Sequence, residues 1–170
     1  MKARCPVLTA SRVARGRAGG GTVARVVGWD VGRRRSGVAV SDPTRTLASP
    51  RGALDGRGSS AQVLARLLAE LREIDDVETP IARVVVGLPS HLDGRPHEQG
   101  AWIRQIADLL EARTGWPVTL QDERLTSIEA EQRLARRERD WRVRRARLDA
   151  AAAAIILQDY LDDRQTTVHE

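Results

Sequence analysis

The 170 residues, 41% of them hydrophobic, suit one domain with a tail and a core that needs no disulfide. The single cysteine, Cys5, and three histidines without ligand spacing (His91, His97, His169) exclude a cysteine-based zinc site, so a metal would rest on carboxylates, as Mg²⁺ or Mn²⁺ does. The net charge of +5 comes from residues 1–25, where Lys2, Arg4, Arg12, Arg15, Arg17 and Arg25 meet no acid, and the longest apolar run, Ala150 to Leu157, is too short to span a membrane.

Residues 1–24 are rich in Arg, Ala and Gly, lack periodicity and are expected to form a disordered extension. The folded domain is expected at 25–164, with 165–170 as a C-terminal tail. Arg25 to Val31 (RVVGWDV) reads as a buried strand, Gly32 to Ser36 as a tight turn and Gly37 to Ser41 as a second strand, together a hairpin. Asp42-Pro43 marks a turn before a short third strand around Thr46 to Pro50, and Gly52 to Ser60 reads as a loop. From Ser60 to Ile74, Val63, Leu64, Leu67, Leu68 and Leu71 recur at helical spacing. Arg83 to Leu88 (RVVVGL) is apolar almost throughout, as a central strand covered on both faces should be. The loop Pro89 to Pro96 leads to a helix over Glu98 to Thr114, with Trp102, Ile106, Leu109 and Leu110 inward and Gly115 as its stop. Pro117 to Gln121 reads as a strand, Thr126 to Arg137 as a helix, and Leu148 to Leu161 as a final buried helix.

Three strands joined by short turns can form an antiparallel meander, whereas the later alternation of strand and helix requires parallel crossovers. The expected fold class is α/β: a mixed five-stranded sheet flanked by helices.

Three carboxylates stand at the ends of core elements. Asp30 interrupts an apolar strand, where an acid is costly without a polar site, a cation or a hydrogen-bond partner. Taken alone, it reads first as a strand-end residue bonding its own turn. Asp122-Glu123-Arg124 follows the last strand, at the carboxyl end where open α/β sheets bind ligands. A capping box of Thr126 and Glu129 accounts for the following helix but not for Asp122, Glu123 or Arg124. Asp149 opens the apolar helix and is locally an N-cap, yet it shares a face with Ala153 and Ile156 that should pack on the sheet. Together the three acids are what a divalent cation needs.

Between Arg133 and Arg147 eight arginines meet only Glu138 and Asp140, a candidate phosphate surface or a solvated helix face. Trp29 neighbours Asp30 and is a candidate for base stacking, whereas Trp102 and Trp116 read as core.

The segment GWDVGRRRSGVAVSD from Gly28 resembles the opening of the YqgF/RuvX family, through Asp30, Gly32, Arg34, Arg35, Gly37, Ser41 and Asp42. VVGLP at Val85 to Pro89 with Asp93-Gly94, DERLT at Asp122 to Thr126, and Asp149, Ala151, Ala152, Ile156, Leu157, Tyr160 and Leu161 resemble its later motifs. The family is described as Holliday-junction resolvases or pre-16S ribosomal RNA nucleases. The resemblance covers roughly residues 25–164 and departs from the family pattern at Arg33, Ser36 and Ser90-His91-Leu92.

The resemblance implies a ribonuclease H-like fold and a catalytic, metal-binding set of Asp30, Glu123 and Asp149. Glu123 ranks ahead of Asp122 on motif alignment and strand parity. It implies Mg²⁺ or Mn²⁺, two ions, with Arg34, Arg35, Arg124, Arg144 and Arg145 on the nucleic acid. The expected protein is a cytoplasmic nuclease, monomer or homodimer, free of membranes. Its expected role is 5′-end maturation of pre-16S rRNA; the alternatives are resolution of branched DNA or a module that binds nucleic acid without cutting it. A D-x-G hairpin also resembles the opening of actin and sugar-kinase ATPases, but those enzymes pair two such domains and this chain has room for one.

Overall fold

A computed structural model describes residues 23–89, 98–123 and 141–167. The expectations for residues 1–22, for the loop at 90–96, for Arg124 and for a helix at 126–137 lie outside those residues.

The chain runs β1 (Arg25–Asp30), β2 (Arg35–Ser41), β3 (Ala48–Asp55), α1 (Ser60–Ile74), β4 (Ile81–Pro89), α2 (Gly100–Thr114), β5 (Val118–Glu123) and α3 (Trp141–Thr167). The five strands form one sheet in the order β3-β2-β1-β4-β5. β2 runs antiparallel to both β1 and β3, while β4 is parallel to β1 and to β5. An antiparallel meander followed by parallel strands, with helices on both faces, is the ribonuclease H-like arrangement.

Strand alternation divides the core in two. Val27, Trp29, Val84 and Val86 turn to the face covered by α1 and α2, where Leu64, Leu67, Ile103, Ile106 and Leu110 are fully buried. Val26, Ala39 and Val85 turn to the other face, against Ala153, Ile156, Leu157 and Leu161 of α3. The near-continuous apolar runs of β1 and β4 follow from being covered twice.

The helix termini follow local chemistry. A capping box of Ser59 and Gln62 opens α1, and Gly115, at φ 73°, closes α2 in the left-handed conformation that favours glycine. In α2, Ile103 rather than Leu109 faces the core, and Leu109 is exposed.

Five elements are longer than their sequence signals: β2 takes in Arg35 and Ser36, and β4 runs from Ile81 to Pro89. β3 continues to Asp55, through residues that read as a loop. It is an edge strand, where proline is tolerated, and its register shifts between the partners of Val38 and Ala39, leaving Arg51 bulged. β5 extends to Glu123. α3 begins at Trp141, so Asp149 sits two turns inside the helix and does not cap it. Among the described residues, no helix is long and apolar enough to cross a membrane.

Candidate nuclease site

Two glycines let α3 lie directly on the sheet. A Cβ at Gly28 would stand 2.8 Å from Leu157 Cβ and 2.9 Å from the carbonyl oxygen of Ala153. A Cβ at Gly37 would occupy the place of the Asp149 carbonyl. Gly37 pairs directly with Asp30 across the β1–β2 ladder, so the two share one face of the sheet. The backbone of Asp149 is thereby brought over the strand adjoining Asp30.

Asp30 is half-buried at the carboxyl end of β1 and engaged in polar interactions. β4 and β5 run parallel to β1, so their carboxyl ends lie at the same edge. Trp29 pairs with Val86, and Gly87 in turn pairs with Gln121. Glu123, two residues beyond Gln121, holds a register position of the same parity as Asp30, and Asp122 the opposite parity. The side chain of Glu123 lies outside the described ones. Among those described, no three metal-ligating residues are grouped to hold an ion.

Asp149 meets Arg35. Arg35 Nε lies 2.9 Å from Asp149 Oδ2. The N–H is not aimed at that oxygen, however, and Oδ2 has no hydrogen-bond partner among the described residues. The contact is an ion pair with an orphaned acceptor. Burial pushes the Asp149 carboxyl above the usual carboxylate range, and the positive charges of Arg35 and Arg145 offset this only partly. The anion is short of positive charge where it stands. An orphaned carboxylate oxygen on the face shared with Asp30 fits a hard divalent cation.

The other basic residues divide. Arg145 is exposed, one turn from Asp149 on α3, and Arg34 is exposed in the turn before β2. Arg144 belongs to α3, with its side chain outside the described ones. Arg33 points to the opposite face, its guanidinium 4.1 Å from the centre of the Trp102 ring.

Trp29 corrects an expectation. It has no exposed surface and lies in the core beneath α1 and α2, so it cannot stack on a base. Strand parity carries this signal, since Trp29 and Asp30 must point to opposite faces. Trp102 and Trp116 pack against the same core, as expected.

Several polar residues turn out to brace the site. Ser36 is buried and its hydroxyl accepts a 3.4 Å bond from the Gly32 N–H, tying off the hairpin turn. Ser41 Oγ accepts from the Val26 N–H at 2.9 Å and donates to the Asp42 carbonyl. Asp42 organises its own loop rather than the site: Oδ1 accepts from the N–H groups of Thr46 and Leu47, both at 2.7 Å, and Oδ2 from the N–H and hydroxyl of Thr44. Gln158 on α3 accepts from the Ala48 N–H at 2.8 Å and donates to the Thr46 carbonyl at 3.0 Å. The sequence offered no signal for Gln158, because its partners lie 110 and 112 residues away.

The meander and the parallel crossovers define a domain of the ribonuclease H-like class. Residues 24–163 match the family model described as RuvX, Holliday junction resolvase. A protein of Roseiflexus sp. (strain RS-1) named "Putative pre-16S rRNA nuclease" is 40% identical over 141 residues, covering 83% of this chain and 96% of that protein. One of the same name from Anaeromyxobacter sp. (strain Fw109-5) is 41% identical over 140 residues, covering 82% and 98%. A solved structure of T. thermophilus RuvC in complex with Holliday junction substrate overlays at a TM-score of 0.46 and 17% identity, over 84% of this chain and 96% of that one, an overlap too partial to bear on function. The chain belongs to the RuvX family and is a nuclease.

Proposed function

We propose that this nuclease acts with a divalent cation on structured RNA, in maturation of the 5′ end of the 16S ribosomal RNA precursor. The observation that carries the reading is the carboxylate of Asp149, half-buried over Gly37 and next to the strand that ends in Asp30, whose Oδ2 is ion-paired with Arg35 but has no hydrogen-bond partner among the described residues. The named role of relatives that the chain spans almost from end to end supports RNA as the substrate.

Asp30, Glu123 and Asp149 would hold Mg²⁺ or Mn²⁺, as one or two ions. When bound, the cation supplies an activated water and neutralises charge on the phosphate. Asp30 would be the central ligand, at the carboxyl end of β1, the middle strand of the sheet. Glu123, at the end of β5, and Asp149, on α3, would complete the set. Arg34, Arg35, Arg124, Arg144 and Arg145 hold the phosphate backbone, fixing the register of the substrate without reading its sequence. The chemistry is taken to lie within residues 25–164 of a cytoplasmic protein, although Ala24 is already buried and α3 runs on to Thr167.

The test is cleavage of two labelled substrates, a 16S precursor 5′ segment and a four-way DNA junction, with Mg²⁺ or Mn²⁺. Wild type cuts the precursor, and Asp30→Asn does not. Cutting of the junction alone would move the role to branched DNA, for which a homodimer would place two sites on two strands. Binding that is equal in wild type and Asp30→Asn, with no cutting by either, would overturn the reading in favour of a binding module.

A further inference from the structure

The contact between Arg35 Nε and Asp149 Oδ2 sets the tasks proposed for the two residues in competition. Asp149 Oδ2 can ligate a cation only if the guanidinium 2.9 Å away moves aside. Arg35 can turn its Nε edge to a phosphate, free of the neighbouring carboxylate, only if it leaves Asp149. Both side chains are reachable from solvent, at 32% and 27% exposure. Their contact lacks an aligned hydrogen bond, so little holds it closed. Arg35 also stands two residues before Gly37 on β2, on the face of the sheet that carries the site.

We propose that Arg35 is a positioning residue that stands in for the cation. Without the ion it holds Asp149 in place on the sheet. With the ion present it swings from Asp149 to the substrate phosphate. Release of Arg35 is thus the step that couples cation binding to RNA binding. The coupling is reciprocal, because a phosphate that draws Arg35 away also frees Asp149. The inference rests on the metal-site reading given above.

The experiment measures Mn²⁺ binding by electron paramagnetic resonance, at constant ionic strength and without RNA. It compares the full-length wild type with Arg35→Gln, Arg34→Gln and Asp149→Asn. Arg34→Gln removes the same charge one residue away, and so separates contact from the general field. Arg35→Gln is expected to bind Mn²⁺ roughly fivefold more tightly than wild type, the scale on which a weak, half-buried ion pair competes, and Arg34→Gln within about twofold. With a phosphorothioate RNA that resists cutting, Mn²⁺ tightens RNA binding by wild type more than by Arg35→Gln.

Equal or weaker Mn²⁺ binding by Arg35→Gln, alongside lost binding in Asp149→Asn, would overturn the coupling and leave the metal site standing. Mn²⁺ binding that Asp149→Asn leaves untouched would overturn both. A second readout needs no variant of Arg35 to fold. In wild type, the Nε–H resonance of Arg35, assigned by its loss in Arg35→Lys, shifts as Mg²⁺ is added. A resonance that stays put while Mg²⁺ binds overturns the proposal.

Discussion

The carbonyl oxygen of Asp149 rests over Gly37, in the space that any Cβ there would need. This contact sets the height of α3 above the sheet at the point where Gly37 pairs with Asp30. A methyl group at Gly37 meets backbone, which cannot rotate away, so the helix must lift. Gly37→Ala should therefore destabilise the fold by about 1–3 kcal/mol, the usual cost of overpacking, and carry Asp149 away from Asp30. Gly52 on edge strand β3 is the control, since a Cβ there meets nothing within 4 Å. Gly52→Ala should stay within about 0.5 kcal/mol of wild type. Urea unfolding and metal-dependent cleavage of both variants check this. Full activity in Gly37→Ala would show that the helix height does not matter to the site.

Gln158 is a staple between α3 and the start of β3. It accepts from the Ala48 N–H and donates to the Thr46 carbonyl, at the point where Ala48 pairs with Ser41 and the strand begins. Gln158→Ala leaves both short of a partner and should cost about 1–3 kcal/mol in chemical denaturation. Gln158→Glu keeps the acceptor for Ala48 but loses the donor to Thr46. It also brings a second negative charge beside Asp162, which now accepts from Gln158 Nε2 at 2.8 Å. Its stability should be no better than that of the alanine variant at neutral pH and should improve as the pH is lowered.

Asp42 gives the fold an acid-sensitive loop. Its slight burial pushes the carboxyl up, but bonds from the Leu47, Thr44 and Thr46 N–H groups and the Thr44 hydroxyl outweigh this and lower it from 3.8 to about 2. A carboxyl depressed in the folded state binds protons more tightly when unfolded. Its contribution is therefore complete above pH 3.8 and lost as the pH falls towards about 2. Asp42→Ala should cost about 1–2 kcal/mol at pH 7, from the lost loop bonds. The gap in urea midpoint between variant and wild type should narrow from pH 4 downward. A gap independent of pH would show that the charge of Asp42 does nothing for the loop.

How far the sequence could be read follows from the range of each interaction. The bounds of α1 were legible because Ser59, Gln62 and the apolar spacing from Val63 to Ile74 are local signals. The meander was legible because short turns leave antiparallel pairing as the economical arrangement. β3 was cut short at Pro50, since proline and glycine signal turns unless the strand is known to lie at an edge, which only the assembled sheet decides. The start of α3 was missed because Arg142 to Arg147 gives no apolar stripe. As a result Asp149 looked like a cap, when it is a mid-helix residue on the sheet-facing side. Asp30 and Asp149 could be nominated from their settings. That they approach through Gly37, and that Arg35 intervenes, depends on strand register and helix height, which no local pattern encodes.

Asp149 should be a residue that the site keeps at the expense of stability. Burial raises its carboxyl despite Arg35 and Arg145, so the folded protein prefers the protonated form more than the unfolded chain does. Any stabilising contribution from this group is present at low pH and is lost as the pH rises through the raised folded-state value. At neutral pH, without a cation, the ionised side chain works against the fold. Asp149→Asn removes that charge while keeping the shape, and both arginines can turn to solvent. Metal-free Asp149→Asn should therefore melt above metal-free wild type at pH 7, with the difference fading as the pH approaches the carboxylate range. Added Mg²⁺ or Mn²⁺ should reverse the order, because it stabilises only the protein that binds it. Calorimetry at two pH values, with and without cation, decides the matter. A variant that melts below wild type under every condition would show that the ion pair with Arg35, rather than the cost of burying the charge, governs this carboxylate.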